Sequence, residues 1–314
     1  MEIHDALTAN VTHFLRQASA SCQSRAGVLL FADEDNILRT ISLEDEFGDV
    51  IRKARVGLAL DCETVSLRAG LPAAELEKAE RYLFVPGDET IRKLADTLDL
   101  KAPALLDLAH KHHQPAPTAF ESLGTAAVVS SDYGSGVVNC YAVWDPSSRQ
   151  GAFFDTGVDF AALERLQARH GFEPRYVFVT HTHGDHIGAL GEVQRRWKPA
   201  VIVGADEPLH GAELVGRDMN FALGAHSVEA MPTPGHSSGG VSYCVRGLGA
   251  GRLALCMCGD TLFAGSVGGP MHSYAALMRS VRRGILALNG NTILCPGHGP
   301  LTTVETEKHH NPFA

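Results

Sequence analysis

The feature that most restricts this chain is the passage from an apolar run, YVFV at 176–179, straight into THTHGDHIG at 180–188. Two β-branched and two aromatic residues in a row favour a buried strand, and the polar, glycine-containing segment after them favours a turn at its end. Such a turn delivers its side chains to the rim of a sheet. There His181, His183, Asp185 and His186 fall within six residues. Imidazoles at i and i+2 can grip one cation, while Asp185 and His186 are placed for a second. Nitrogen and carboxylate donors suit zinc, iron or manganese without sulfur. A solitary histidine is more often a surface or hydrogen-bonded residue, but three with an aspartate at this spacing have the pattern of metal ligands.

Three later fragments repeat the theme. PGHSSGG at 234–240 places His236 in a turn before a strand, CGDTLFAG at 258–265 places Asp260 at the end of one, and CPGHGP at 295–300 places His298 after the apolar run NTILC. Each sets a metal-type residue where a strand meets a glycine turn, the arrangement of functional loops on a rigid sheet. In this order, HxHxDH, PGH, GD and PGHG resemble the metallo-β-lactamase superfamily, and within it glyoxalase II and related small hydrolases, over about residues 120–314.

The resemblance implies an α/β fold, an αββα sandwich with metals at one edge of the sheets. It assigns His181, His183 and His236 to a first metal and Asp185, His186 and His298 to a second, with Asp260 bridging. Asp155, in FFDTG, becomes a supporting residue near the site. The cofactors expected are two divalent ions, zinc first, with iron or manganese as alternatives. Two such ions about 3.5–4 Å apart hold a bridging hydroxide at neutral pH that attacks a carbonyl. The expected activity is thus hydrolysis of a thioester or ester, with Asp185 as the catalytic residue that orients the nucleophile. Two departures from glyoxalase II bear on the substrate. The sequence ends sixteen residues after His298, so the C-terminal helical domain that holds glutathione is expected to be missing, and FAGSVGGPMHSY after Asp260 lacks the cysteine and basic residue found there in glyoxalase II and the persulfide dioxygenases. A mononuclear-iron persulfide dioxygenase is the alternative enzyme. A DNA-binding regulator using the metallo-domain as a sensor is the alternative from another class.

Elsewhere the pattern predicts strands at 126–132, 137–145, 151–157, 175–181, 200–206, 240–245 and 253–260, with amphipathic helices at Phe160–His170 and Tyr274–Leu288. Strands interleaved with helices indicate a mixed α/β domain, placed at 115–314. Residues 45–114 are helical in pattern, and 1–44 form an extension. Within that extension a helix at Ala6–Ala20 and a hairpin of VLLF (28–31) with ILRTISL (37–43) are expected. Residues 47–109 resemble helix-turn-helix domains of the lambda-repressor/Cro type, with Gly70 at the turn and PAAELEKAER in the recognition position. That helix carries Glu75, Glu77 and Glu80 against Lys78 and Arg81, and residues 49–112 hold ten basic and eleven acidic side chains. Such a surface exerts no net pull on phosphate, so the segment is expected to serve interaction or homo-oligomer formation, without nucleic acid. The net charge of −9 agrees. No stretch is long and apolar enough to span a bilayer, and seven scattered cysteines read as reduced core thiols, Cys256 and Cys258 on one strand face included. A cytoplasmic protein with a small-molecule substrate is the expectation. His110, His112 and His113 fall in the segment HKHHQPAPTAF, which reads as a solvated linker.

Overall fold

Alternation of side chains along the strands sorts this chain into layers. The computed structural model describes residues 29–32, 38–115, 118–134, 136–207, 209–216, 219–249 and 253–314. One six-stranded sheet runs in the order β3 (Ala126–Tyr133), β4 (Gly136–Trp144), β5 (Gln150–Phe154), β6 (Glu173–Val179), β7 (Ala200–Gly204) and β8 (Glu213–Val215). The second has the order β14 (Thr302–Thr303), β13 (Ile293–Pro296), β12 (Leu253–Gly259), β11 (Val241–Leu248), β10 (His226–Pro232) and β9 (Asn220–Leu223). Because successive residues point to opposite faces, one set of each sheet meets the other sheet. Tyr141, Phe154, Phe178 and Ile202 from the first share a buried cluster with Tyr243, Val245, Leu255 and Met257 from the second.

The intervening residues face outward onto helices. Cys140, Phe153, Val177 and Val203 pack with Leu163 and Leu166 of α6 (Phe160–His170) and Val193 of α8 (Leu190–Trp197). On the other side Cys244, Cys256, Cys258 and Leu294 pack against helical residues from both ends of the chain. The helices there are α1 (Phe47–Gly57), α2 (Cys62–Ala69), α3 (Ala73–Ala79), α4 (Asp88–Thr97) and α5 (Ala102–Ala109), together with α9 (Tyr274–Arg279) and α10 (Val304–His310). Ile51, Leu94 and Leu105 lie in the same apolar cluster as Leu277, Val281 and Phe313. The result is helices, sheet, sheet, helices. Each expected strand is present. The cysteines described, from Cys62 to Cys295, are free thiols.

Several local details depart from expectation. The helix predicted at Tyr274–Leu288 is α9 followed by a π-helical turn at Ser280–Gly284 and a 3-10 turn at Ile285–Ala287, the passage from one turn to the other falling at Gly284. The segment at 110–115 is not wholly solvated. His113 is buried, with its ring stacked on His310 at 5.1 Å. A hairpin of β1 (Leu29–Ala32) and β2 (Leu38–Ile41) pairs antiparallel as expected, whereas the helix expected at Ala6–Ala20 lies outside the described residues. Among the described residues no helix is long and apolar enough to cross a membrane.

Candidate metal centre

Four strand ends and one connection deliver the candidate ligands and their supporting aspartate to a common edge. Thr180 and His181 follow β6, and His183 caps the single turn α7 (Gly184–Ile187), which carries Asp185 and His186. His236 lies in the connection from β10 to β11, Asp260 directly after β12, His298 just after β13, and Asp155 directly after β5. All seven residues singled out as ligands come together. Donor atoms of His181, His183, His236 and Asp260 lie within 4.8 Å of one another, as do those of Asp185, His186 and His298.

Hydrogen bonds behind the rings set their orientation. His186 Nδ1 lies 2.8 Å from Asp155 Oδ2, His236 Nδ1 lies 2.8 Å from the Gly269 carbonyl, and His298 Nδ1 lies 2.8 Å from the Val137 carbonyl. With Nδ1–H engaged outward, Nε2 is left as a lone-pair donor facing the centre. His183 presents Nδ1 instead, 2.9 Å from His181 Nε2 and 3.1 Å from His236 Nε2. Three inward nitrogens so close together cannot satisfy one another, since His183 Nδ1 has a single lone pair or a single proton. The separations are near the edge of a tetrahedron with bonds of about 2.0–2.1 Å, roughly 3.3 Å.

Asp260 stands between the two groups. Its Oδ1 is 3.3 Å from His186 Nε2, and its Oδ2 is 3.5 Å from His236 Nε2 and 3.6 Å from His298 Nε2. Asp185 Oδ2 lies 3.2 Å from His298 Nε2. Both His186 Nε2 and Asp260 Oδ1 are buried without a hydrogen-bond partner. Orphaned polar atoms of that kind are costly, and a cation between them satisfies both. The donor set therefore fits divalent metal. Without one, the charges lean on each other: burial opposes protonation of His298, yet the Asp185 bond and the Asp260 charge push it up to about 9. Burial likewise opposes ionisation of Asp185, yet His298 and His186 hold it at about 2.

The supporting residues are as specific as the candidate ligands. Asp155 adopts a left-handed backbone (φ 57°), unusual for a non-glycine residue. It accepts hydrogen bonds from Thr180 N at 2.7 Å and Thr180 Oγ1 at 2.8 Å, in addition to facing His186. Asn139 and Tyr141 of β4 pin the loop of His298: Asn139 Nδ2 donates to the Gly299 carbonyl at 2.9 Å, and Tyr141 Oη to the Pro296 carbonyl at 2.7 Å. At Gly297 the loop comes so close that an added Cβ would lie 2.3 Å from Asp260 Oδ1. The N-terminal helical segment reaches the same edge. Asp45 Oδ2 accepts from Ser266 Oγ at 2.5 Å, and Lys53 Nζ donates to the Val267 carbonyl at 2.7 Å. Asn139 and Asp45 were not legible as part of this centre in the sequence, where Asn139 is one polar residue inside an apolar run and Asp45 one of three successive acids with Glu44 and Glu46.

A model of the metallo-beta-lactamase superfamily matches residues 133–298, a span that begins after α1 to α5 and contains every candidate ligand. The chain is 31% identical over 202 residues to the probable metallo-hydrolase YqgX of Bacillus subtilis (strain 168), a match covering 57% of this chain and 93% of that one. It is 27% identical over 201 residues to hydroxyacylglutathione hydrolase GloC of Haemophilus influenzae, covering 56% and 92%. Among solved structures, that of the BLEG-1 B3 metallo-beta-lactamase superposes with a TM-score of 0.51 at 28% identity, over 60% of this chain and 99% of that one. Motif order, two-sheet architecture and the family match agree, and the chain belongs to the metallo-beta-lactamase superfamily.

Proposed function

We propose that the chain is a dinuclear metal-dependent hydrolase of a thioester or ester, with a hydroxyacylglutathione-type thioester as the first substrate to test. The observation that carries this is Asp260, whose carboxylate stands between the two histidine groups, Oδ1 3.3 Å from His186 and Oδ2 3.5 Å from His236 and 3.6 Å from His298. On this reading His181, His183 and His236 hold one ion, Asp185, His186 and His298 the other, and Asp260 both. Zinc is the first candidate, with iron and manganese next. Bound there, two divalent ions would supply Lewis-acid polarisation of a carbonyl and water acidified to a pKa of about 7.

The chain's own residues do the rest. Asp185, partly exposed at the opening of the centre, accepts a hydrogen bond from the attacking water and aligns its lone pair. Asp155 keeps the His186 imidazole in one tautomer. Asn139 and Tyr141 keep the His298 loop from drifting, because catalysis depends on donors held in place before reaction. Hydroxyacylglutathione chemistry is proposed because GloC is named for it and 92% of that protein is covered. The helical segment is proposed as a wall of the catalytic body. Its residues Asp45 and Lys53 bond to the loop after Asp260, whereas on α3 Glu77 is exposed and Glu75 half-buried, acidic groups with no role on phosphate.

The test is thiol release from a panel of acyl-thioesters, lactoylglutathione included, by protein loaded with zinc, manganese or iron. Turnover that vanishes on chelation supports the hydrolase. No release with any metal, together with oxygen uptake on glutathione persulfide, would replace it with the single-iron dioxygenase.

A further inference from the structure

Glu207 follows β7 on the first sheet, yet its carboxylate is buried between two loops that carry candidate ligands. Oε2 accepts from the Thr182 backbone N–H at 3.2 Å and also from the Thr182 hydroxyl. Oε1 accepts from the Gly239 backbone N–H at 3.3 Å. Thr182 is the single residue between His181 and His183, while Gly239 closes the turn PGHSSGG that bears His236. The neighbouring contacts are equally close. Ser238 Oγ donates to the Asp206 carbonyl at 2.9 Å, and a Cβ on Gly239 would lie 2.5 Å from Glu207 N. Only 6% of Glu207 is exposed, so this is a built contact and not a surface coincidence. The bonds outweigh burial and keep the carboxylate ionised below its ordinary range.

We propose that Glu207 is a positioning residue for the first metal: one carboxylate ties the turn bearing His181 and His183 to the turn bearing His236, so that their three inward nitrogens share a coordination shell. This rests on the reading that those histidines hold a common ion. Asp155 does the equivalent for the second group, through His186 and Thr180. The centre thus has one buried, acceptor-only anchor per metal. Such anchors act on affinity through the ligands they orient, and their loss costs typically about 10–100-fold in metal affinity.

Cobalt(II) titration of the full chain, followed by visible absorption, tests this. His298→Ala isolates the first group and His236→Ala the second. Glu207→Ala is expected to weaken the remaining site by roughly 10–100-fold in the His298→Ala background and to leave it unchanged in the His236→Ala background, with an altered cobalt spectrum only in the former. Glu207→Gln keeps the volume and one acceptor oxygen. It is expected to show the same background dependence with a smaller loss, and it decides the matter if the alanine variant does not fold. Unchanged affinity in both backgrounds, or equal losses in both, would overturn the proposal. No cobalt uptake by the wild-type chain would instead refute the metal reading itself, and this role with it.

Discussion

Glu307 offers a perturbation whose size follows from the structure. Its carboxyl is fully buried, accepting from Thr302 Oγ1 at 2.7 Å, Gly265 N at 2.9 Å and Asn311 Nδ2 at 2.9 Å. Burial pushes its pKa up from 4.5 to about 7, with these bonds opposing. A carboxyl with a raised folded-state pKa contributes stability that is fully present below pH 4.5. That contribution is lost as pH rises through about 7. At about 1.36 kcal/mol per unit, the loss is on the order of 3 kcal/mol by pH 8. Glu307→Gln does not titrate and keeps the volume, and the Thr302 hydroxyl can turn to accept from the new amide. Urea unfolding of metal-free wild type and variant, followed by fluorescence of Trp144 and Trp197, should give nearly equal stabilities at pH 4.5. At pH 8 the variant should be ahead by about 3 kcal/mol. A stability difference independent of pH would refute the reasoning, because burial of an ionisable group would then not be its cause.

Other expectations follow from the same contacts. Gly297→Ala places a methyl 2.3 Å from Asp260 Oδ1 and 2.5 Å from His186 Cε1; displaced ligands should cost at least about 100-fold in turnover and reduce metal content, both measured on folded protein. His113, held at about 4 by burial and by His310, is a base with a depressed pKa. Its neutral form contributes stability present above pH 6.5 and lost as pH falls toward 4. Replacing it with phenylalanine should remove up to about 3 kcal/mol of acid sensitivity in denaturant titrations at pH 7 and pH 4. Chelation should abolish thiol release and lower the thermal midpoint, with both restored by added metal, since a ligand bound only to the native state stabilises it by mass action.

Much of the site was legible in the sequence because metal ligation needs particular side chains at the ends of strands. YVFV before THTHGDHIG gives β6 its buried character and places the histidines at its rim, and PGH, GD and PGHG do the same for three other positions. What was hidden depends on long-range packing. The segment 213–232 yields three strands, β8 and β9 at sheet edges and β10 beside one, with polar residues such as Glu213, Asn220 and Ser227 exposed, so no clear alternation marks them. Cys256 and Cys258 were readable as core residues on one face, but not that this face receives the N-terminal helices. His113 looked solvated beside two prolines, and only its stacking on His310, almost two hundred residues on, buries it. Nothing in GADEP marks Glu207 either, its partners Thr182 and Gly239 lying 25 and 32 residues away.

The most direct measurement is the metal content of protein reconstituted with excess zinc and desalted, taken by elemental mass spectrometry for wild type and Asp260→Ala alongside thioester turnover. A centre whose two ions share Asp260 should give two zinc ions per chain in wild type, and lower occupancy with no measurable turnover in the variant. One ion per fully active wild-type chain, or two ions and full activity in Asp260→Ala, would contradict it.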